Sequence, residues 1–159
     1  MLTLLAMTAV LAVAPAPAPA DDFARLAALA GHWRGTAEDN RVIDIRYRLI
    51  ANGSALIEEW TSPRGNQTMT VYYRDGDRVM ATHFCGQGNQ PRLVLAAPEG
   101  DWMRFAFQDA TNLAPGKSHL HAFWIEIASD GTMRRAETYS AGPESETETM
   151  VLRRVTPSP

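Results

Sequence analysis

The chain has 159 residues, a net charge of −3, 45% hydrophobic side chains and 21% charged ones. Its Lys and Arg residues are scattered, which excludes the electrostatic footprint of a nucleic-acid or anionic-membrane binder. The single cysteine, Cys85, excludes an internal disulfide, so the fold must rest on its core alone.

Leu2 to Val13 is an almost unbroken apolar run, too short to span a bilayer as a helix. The Ala-Pro stretch behind it places the small residues Ala18 and Ala20 where signal peptidase needs them for a cut before Asp21. No Lys or Arg precedes the run, so only the amino terminus supplies positive charge. The expectation is a secretory signal peptide of bacterial type over 1–20 and an exported product, periplasmic or extracellular. Residues 21–156 suit one domain, and 157–159 form a short tail.

Asp22 to Ala30 carries Phe23, Leu26, Leu29 and Ala30 at helical spacing after an Asp-Asp start, which predicts a short amphipathic helix ended by Gly31. Everything beyond reads as strand. Arg41 to Ile50 is the clearest: Ile43, Ile45, Tyr47 and Leu49 share one face, Asp44, Arg46 and Arg48 the other. One buried and one wet face mark an antiparallel sheet. Asp101 to Asp109 repeats the pattern with Met103, Phe105 and Phe107 inward. In His119 to Ala128 the apolar set is Phe123, Ile125 and Ile127, and His119 and His121 share its parity.

Ten such segments are separated by breaks that alternate between tight and long. Asn52-Gly53, Asp75-Gly76, Glu99-Gly100 and Asp130-Gly131 are tight turns; Ser62 to Gln67, Cys85 to Pro91, Ala110 to Ser118 and Ala141 to Glu146 are longer polar loops. In an up-and-down sheet every second connection lies at the same end. The pattern predicts an all-β, roughly ten-stranded antiparallel barrel, closed at the tight-turn end by the N-terminal helix and open at the other.

Gly31-His32-Trp33-Arg34-Gly35, directly after the helix, resembles the G-x-W signature of the calycin superfamily: lipocalins, fatty-acid-binding proteins and nitrobindin-like haem barrels. The resemblance implies that Gly31 and Trp33 are structural, with the tryptophan packed at the base of the first strand. It also implies an arginine from the last strand crossing that tryptophan, where Arg153 and Arg154 stand. Ten strands looks more like the fatty-acid-binding and nitrobindin branches than the eight-stranded lipocalins.

The strand directions gather polar residues at the long-loop end. His119, His121, one of the adjacent pair Glu58 and Glu59, and with them His83 and Asp109, are candidates for the inner mouth, with Asn112 and other amides above. His-x-His on a strand holds two imidazoles about 7 Å apart on one face, so His119, His121 and His83 are candidate metal ligands. Haem ligation needs one inward histidine. Cys85 shares strand parity with His83, but no nucleophile elbow, zinc-protease motif or phosphate loop is present. The sequence therefore favours a binder over an enzyme without deciding between them. The leading expectation is a barrel holding a small, mainly apolar ligand, its tail against Ile45, Tyr47, Phe105, Phe107 and Phe123 and its head against the histidines and the inward glutamate. A haem- or metal-binding barrel is the second reading, and a side-chain-filled barrel acting on another protein the third.

Overall fold

The computed structural model describes residues 21–61, 65–96 and 102–156. The expected signal peptide, the Glu99-Gly100 turn and the 157–159 tail lie outside the described residues. Helix α1 (Asp22–Ala27) leads into β1 (Gly31–Ala37), β2 (Val42–Ile50), β3 (Ala55–Thr61), β4 (Gln67–Asp75) and β5 (Arg78–Phe84). There follow β6 (Gln90–Leu95), β7 (Met103–Thr111), β8 (His119–Ile127), β9 (Met133–Ala141) and β10 (Glu144–Arg154). Each strand pairs antiparallel with the next, and β1 pairs with β10 to close the ring. The all-β up-and-down barrel expected from the turn pattern is the fold observed, and closure gives every described strand a neighbour on each side.

Alternation sets which side chains fill it. Ile43, Ile45 and Tyr47 of β2 are buried; on the opposite face Asp44 binds His32 (2.9 Å) and Arg34 (3.0 Å) of β1. Between β2 and β3 the chain reverses through Ala51–Gly53, with Asn52 and Gly53 at φ 53° and 83°. That left-handed backbone is what the Asn-Gly pair accommodates.

The base is a plug held by both ends of the ring. Phe23 and Leu26 of α1 and Leu29 behind it are buried against the core. Asp21 caps the helix through the Phe23 amide (3.2 Å) and pairs with Arg74, whose guanidinium covers the Phe23 ring. The Trp33 indole N–H donates to the Leu29 carbonyl at 2.8 Å. Arg154 lies 4.5 Å above the Trp33 ring and donates to the carbonyls of Ala28 (2.9 Å) and Ala30 (2.5 Å). Arg153, the other candidate, points away toward Asp130 at 3.5 Å. Two glycines make this clasp possible. A Cβ on Gly31, at φ 136°, would meet Arg154 at 2.4 Å, and one on Gly35 would meet the Val151 carbonyl oxygen at 1.8 Å.

Three details differ from expectation. The helix ends at Ala27, and 3₁₀-type bonds from Leu29 and Ala30 to Leu26 and Ala27 finish the turn. Leu49 and Ile127, both expected inward, are 43% and 39% exposed, because β2 and β8 end beyond the core. The expected loop from Ala141 to Glu146 is a two-residue turn, Gly142-Pro143, and β10 starts at Glu144. Its first half alternates Glu with Ser and Thr, so it carries no apolar parity; it rises above the core, and neither face needs to be apolar there.

Candidate functional site

A charged network occupies the middle of the barrel. Arg135 of β9 is fully buried and grips Glu58 of β3 through both oxygens, at 2.9 and 3.0 Å. The same guanidinium donates to Glu137 from Nε (3.0 Å) and Nη2 (2.7 Å) and to the Tyr47 hydroxyl (3.2 Å). The Tyr72 hydroxyl donates to Glu58 at 2.5 Å, and the Phe123 ring backs the guanidinium at 4.9 Å. Burial opposes charge on Arg135, but the surrounding groups, Glu58 foremost, hold its pKa well above the ordinary value. Burial first, then Glu58, pushes the Tyr47 and Tyr72 hydroxyls well up. One guanidinium thus serves two carboxylates. The pKa of Glu137 rises, because burial and Glu58 outweigh the pull of Arg135.

Above this network the barrel opens. A cavity of about 470 Å³ has Glu137 and Tyr139 in its wall. Its rim comes from the β1–β2 loop (Glu38, Asp39, Arg41), from Glu146 and Glu148 of β10, and from Gln87 and Ser118 opposite. Arg41 is the one guanidinium among its described lining residues and is already paired with Asp39 and Glu148. Just inside lie the two buried polar side-chain atoms that lack a hydrogen-bond partner among the described residues, His83 Nε2 and Asn89 Oδ1. His83 pairs through Nδ1 with the Thr70 hydroxyl (3.0 Å). Burial, helped by Arg135 and opposed by Glu58, lowers its pKa to about 4, so the ring is neutral. Asn89 donates to the Ser118 carbonyl at 2.9 Å. Burial raises the Cys85 thiol pKa, which leaves a poor nucleophile.

The sequence candidates divide. Glu58 faces inward, and Glu59 faces outward to Arg48 at 3.2 Å. His83, Tyr47, Phe105 and Phe123 are buried inside; Phe105 and Phe123 stack at 4.6 Å, with Tyr72 edge-on to both. Those rings fill the space where an apolar tail was expected to lie. His119 and His121 do not point into the barrel. A bulge at His121 shifts the β8–β9 register between Leu120 and Ala122, so Leu120 takes the inner position and both imidazoles move to the outer face. Phe107 packs with them there, its ring 4.7 Å from His119 and 5.6 Å from His121. Asp109 is also outside, bound by Arg92 at 2.5 Å across the β6–β7 irregularity. Asn112 sits in the mouth loop and donates to Gln90. Among the described residues no three His, Cys, Asp or Glu side chains gather as a metal site, so His83 does not complete one with His119 and His121.

Arg135, Glu137 and Tyr139 escaped the sequence reading. The signal was present, since Met133, Arg135, Glu137 and Tyr139 share one parity. Charges on that face, and Ala136 on the other, hide which face is buried. No known family's sequence pattern matches the chain, and no curated protein matches it.

Proposed function

We propose that this is a calycin-like barrel, exported by a cleaved signal peptide, that binds a small ligand through a cationic head in its mouth. The clasp of Gly31, Trp33 and Arg154 supports the kinship. The observation that carries the ligand chemistry is Glu137: a buried carboxylate that shares the Arg135 guanidinium with Glu58 and still lines the mouth cavity. Two carboxylates on one guanidinium leave negative charge at the cavity floor, and Glu38, Asp39, Glu146 and Glu148 add more at the rim. An ammonium group entering there would supply the missing counter-charge, in a volume typical of small-molecule sites. The packed rings below leave the apolar part of such a ligand short and near the rim.

Calorimetry with octylammonium, octanoate and octanol tests this. Octylammonium should bind one to one, octanoate should not, and Glu137→Gln should weaken the ammonium about tenfold or more, as loss of a charged partner at a desolvated contact does. Equal binding of octanoate, or an unchanged affinity in Glu137→Gln, would overturn the reading.

A further inference from the structure

The bulge in β8 has a second effect beyond moving His119 and His121 out of the interior. His119 and His121 end up side by side on the outer wall, ring centroids 5.6 Å apart and planes at 74°. They line a groove with Phe107, Ser140 and Glu144. Two imidazoles that share one ion at about 2.0–2.1 Å hold their ring centres roughly 4.5–6.5 Å apart, between right-angled and linear coordination. The observed spacing falls inside that span. His119 Nδ1 lies 3.3 Å from the Lys117 carbonyl oxygen; a carbonyl only accepts, so Nδ1 is the donor there and Nε2 is the nitrogen left to bind a metal. A backbone carbonyl fixing the tautomer in this way is the outer-shell arrangement that metal-binding histidines use. Phe107 packs against both rings, at 56° to His119 and 19° to His121, and restricts their swing. Bulges re-aim side chains at functional positions.

We propose that His119 and His121 chelate one borderline divalent transition-metal cation on the outer wall of the barrel. Cu²⁺ is held most tightly, as expected for imidazole donors. The two histidines supply two nitrogens, and water completes the shell. The site is separate from the mouth cavity and does not depend on its ligand.

The test is titration of the full chain with Cu²⁺, read by calorimetry and by electron paramagnetic resonance. The wild type should bind one ion with hyperfine coupling from two imidazole nitrogens. His119→Phe and His121→Phe keep a ring against Phe107 and remove the donor, so each should leave thermal stability near wild type. Each should also lower Cu²⁺ affinity by more than the roughly 10–100-fold that losing an outer-shell partner costs. Cys85→Ser, controlling for the thiol, should retain the wild-type affinity and spectrum. Undiminished affinity in either Phe variant overturns the proposal, as does a spectrum with one nitrogen or none. Loss of the ion in Cys85→Ser overturns it equally. Stability that drops in His119→Ala and His121→Ala and returns in the Phe variants, with affinity unchanged throughout, would make the cluster an aromatic brace only.

Discussion

Replacing His83 by glutamine should flatten the acid limb of the stability profile. His83 is 2% exposed, its Nδ1 is tied to Thr70 and its Nε2 has no partner among the described residues. Burial dominates and lowers its pKa from 6.5 to about 4. In the unfolded chain the ring takes a proton as pH falls below about 6.5; in the fold it stays neutral until about 4. Between those values the unfolded state binds more protons, so stability falls as pH falls. The contribution is fully present above the upper value and lost through the lower one. The gap corresponds to about 3 kcal/mol, with a slope of at most about 1.4 kcal/mol per pH unit. Glu137 works in the opposite sense: its raised pKa favours the fold at low pH and gives that stability up as pH rises. Because Glu137 is present in both proteins, it drops out of the difference. Urea unfolding of wild type and His83→Gln across this window should show the wild type losing about 3 kcal/mol more than the variant. Parallel curves would refute the claim that the imidazole is buried neutral.

The interior ion network gives a contrasting pair of outcomes. Arg135→Ala strands two buried carboxylates and should cost about 3–5 kcal/mol in urea unfolding, whereas the triple change Arg135→Met, Glu58→Leu and Glu137→Leu should be near neutral or stabilising. At the base, Trp33→Ala should cost about 3–5 kcal/mol, as for other deleted core aromatics; an unmoved denaturation midpoint would show that the plug does not depend on the indole.

What was legible in the sequence follows from where one face had to be apolar. β2 and the lower halves of β7 and β8 alternate cleanly because they line the core, and the turn pairs Asn52-Gly53 and Asp75-Gly76 declare themselves by the left-handed backbone they allow. From those elements alone the barrel and its open end could be read; the clasp of Trp33 by an arginine of the last strand was what the resemblance to the calycins implied. Parity failed at the bulge: a single extra residue at His121 inverts the facing of everything above it, and nothing in His119-Leu120-His121-Ala122 marks the insertion. It also failed in β9, where the inward row reads Met, Arg, Glu, Tyr. A buried guanidinium is recognisable only with its partner, and Glu58 lies 77 residues away in the chain. Adjacent acids such as Glu58 and Glu59 could be narrowed to one inward member but not assigned, because β3 is buried at Ile57 as well as at Leu56 and Glu58.

The β1–β10 seam also sets an order of events. Trp33 opposes Arg154 across it and Ala37 opposes Met150, so β1, already paired with β2 on one side, finds its second partner only in β10. Neighbouring strands can zip through short connections, yet the ring stays an open ribbon with two raw edges until that long loop closes. The Arg154 side chain is then a latch that engages last: its bonds to the Ala28 and Ala30 carbonyls join the two extremities of the sheet in one motion. Chains halted before Arg154 should accumulate as unlatched ribbons, the species with the greatest tendency to pair edge to edge.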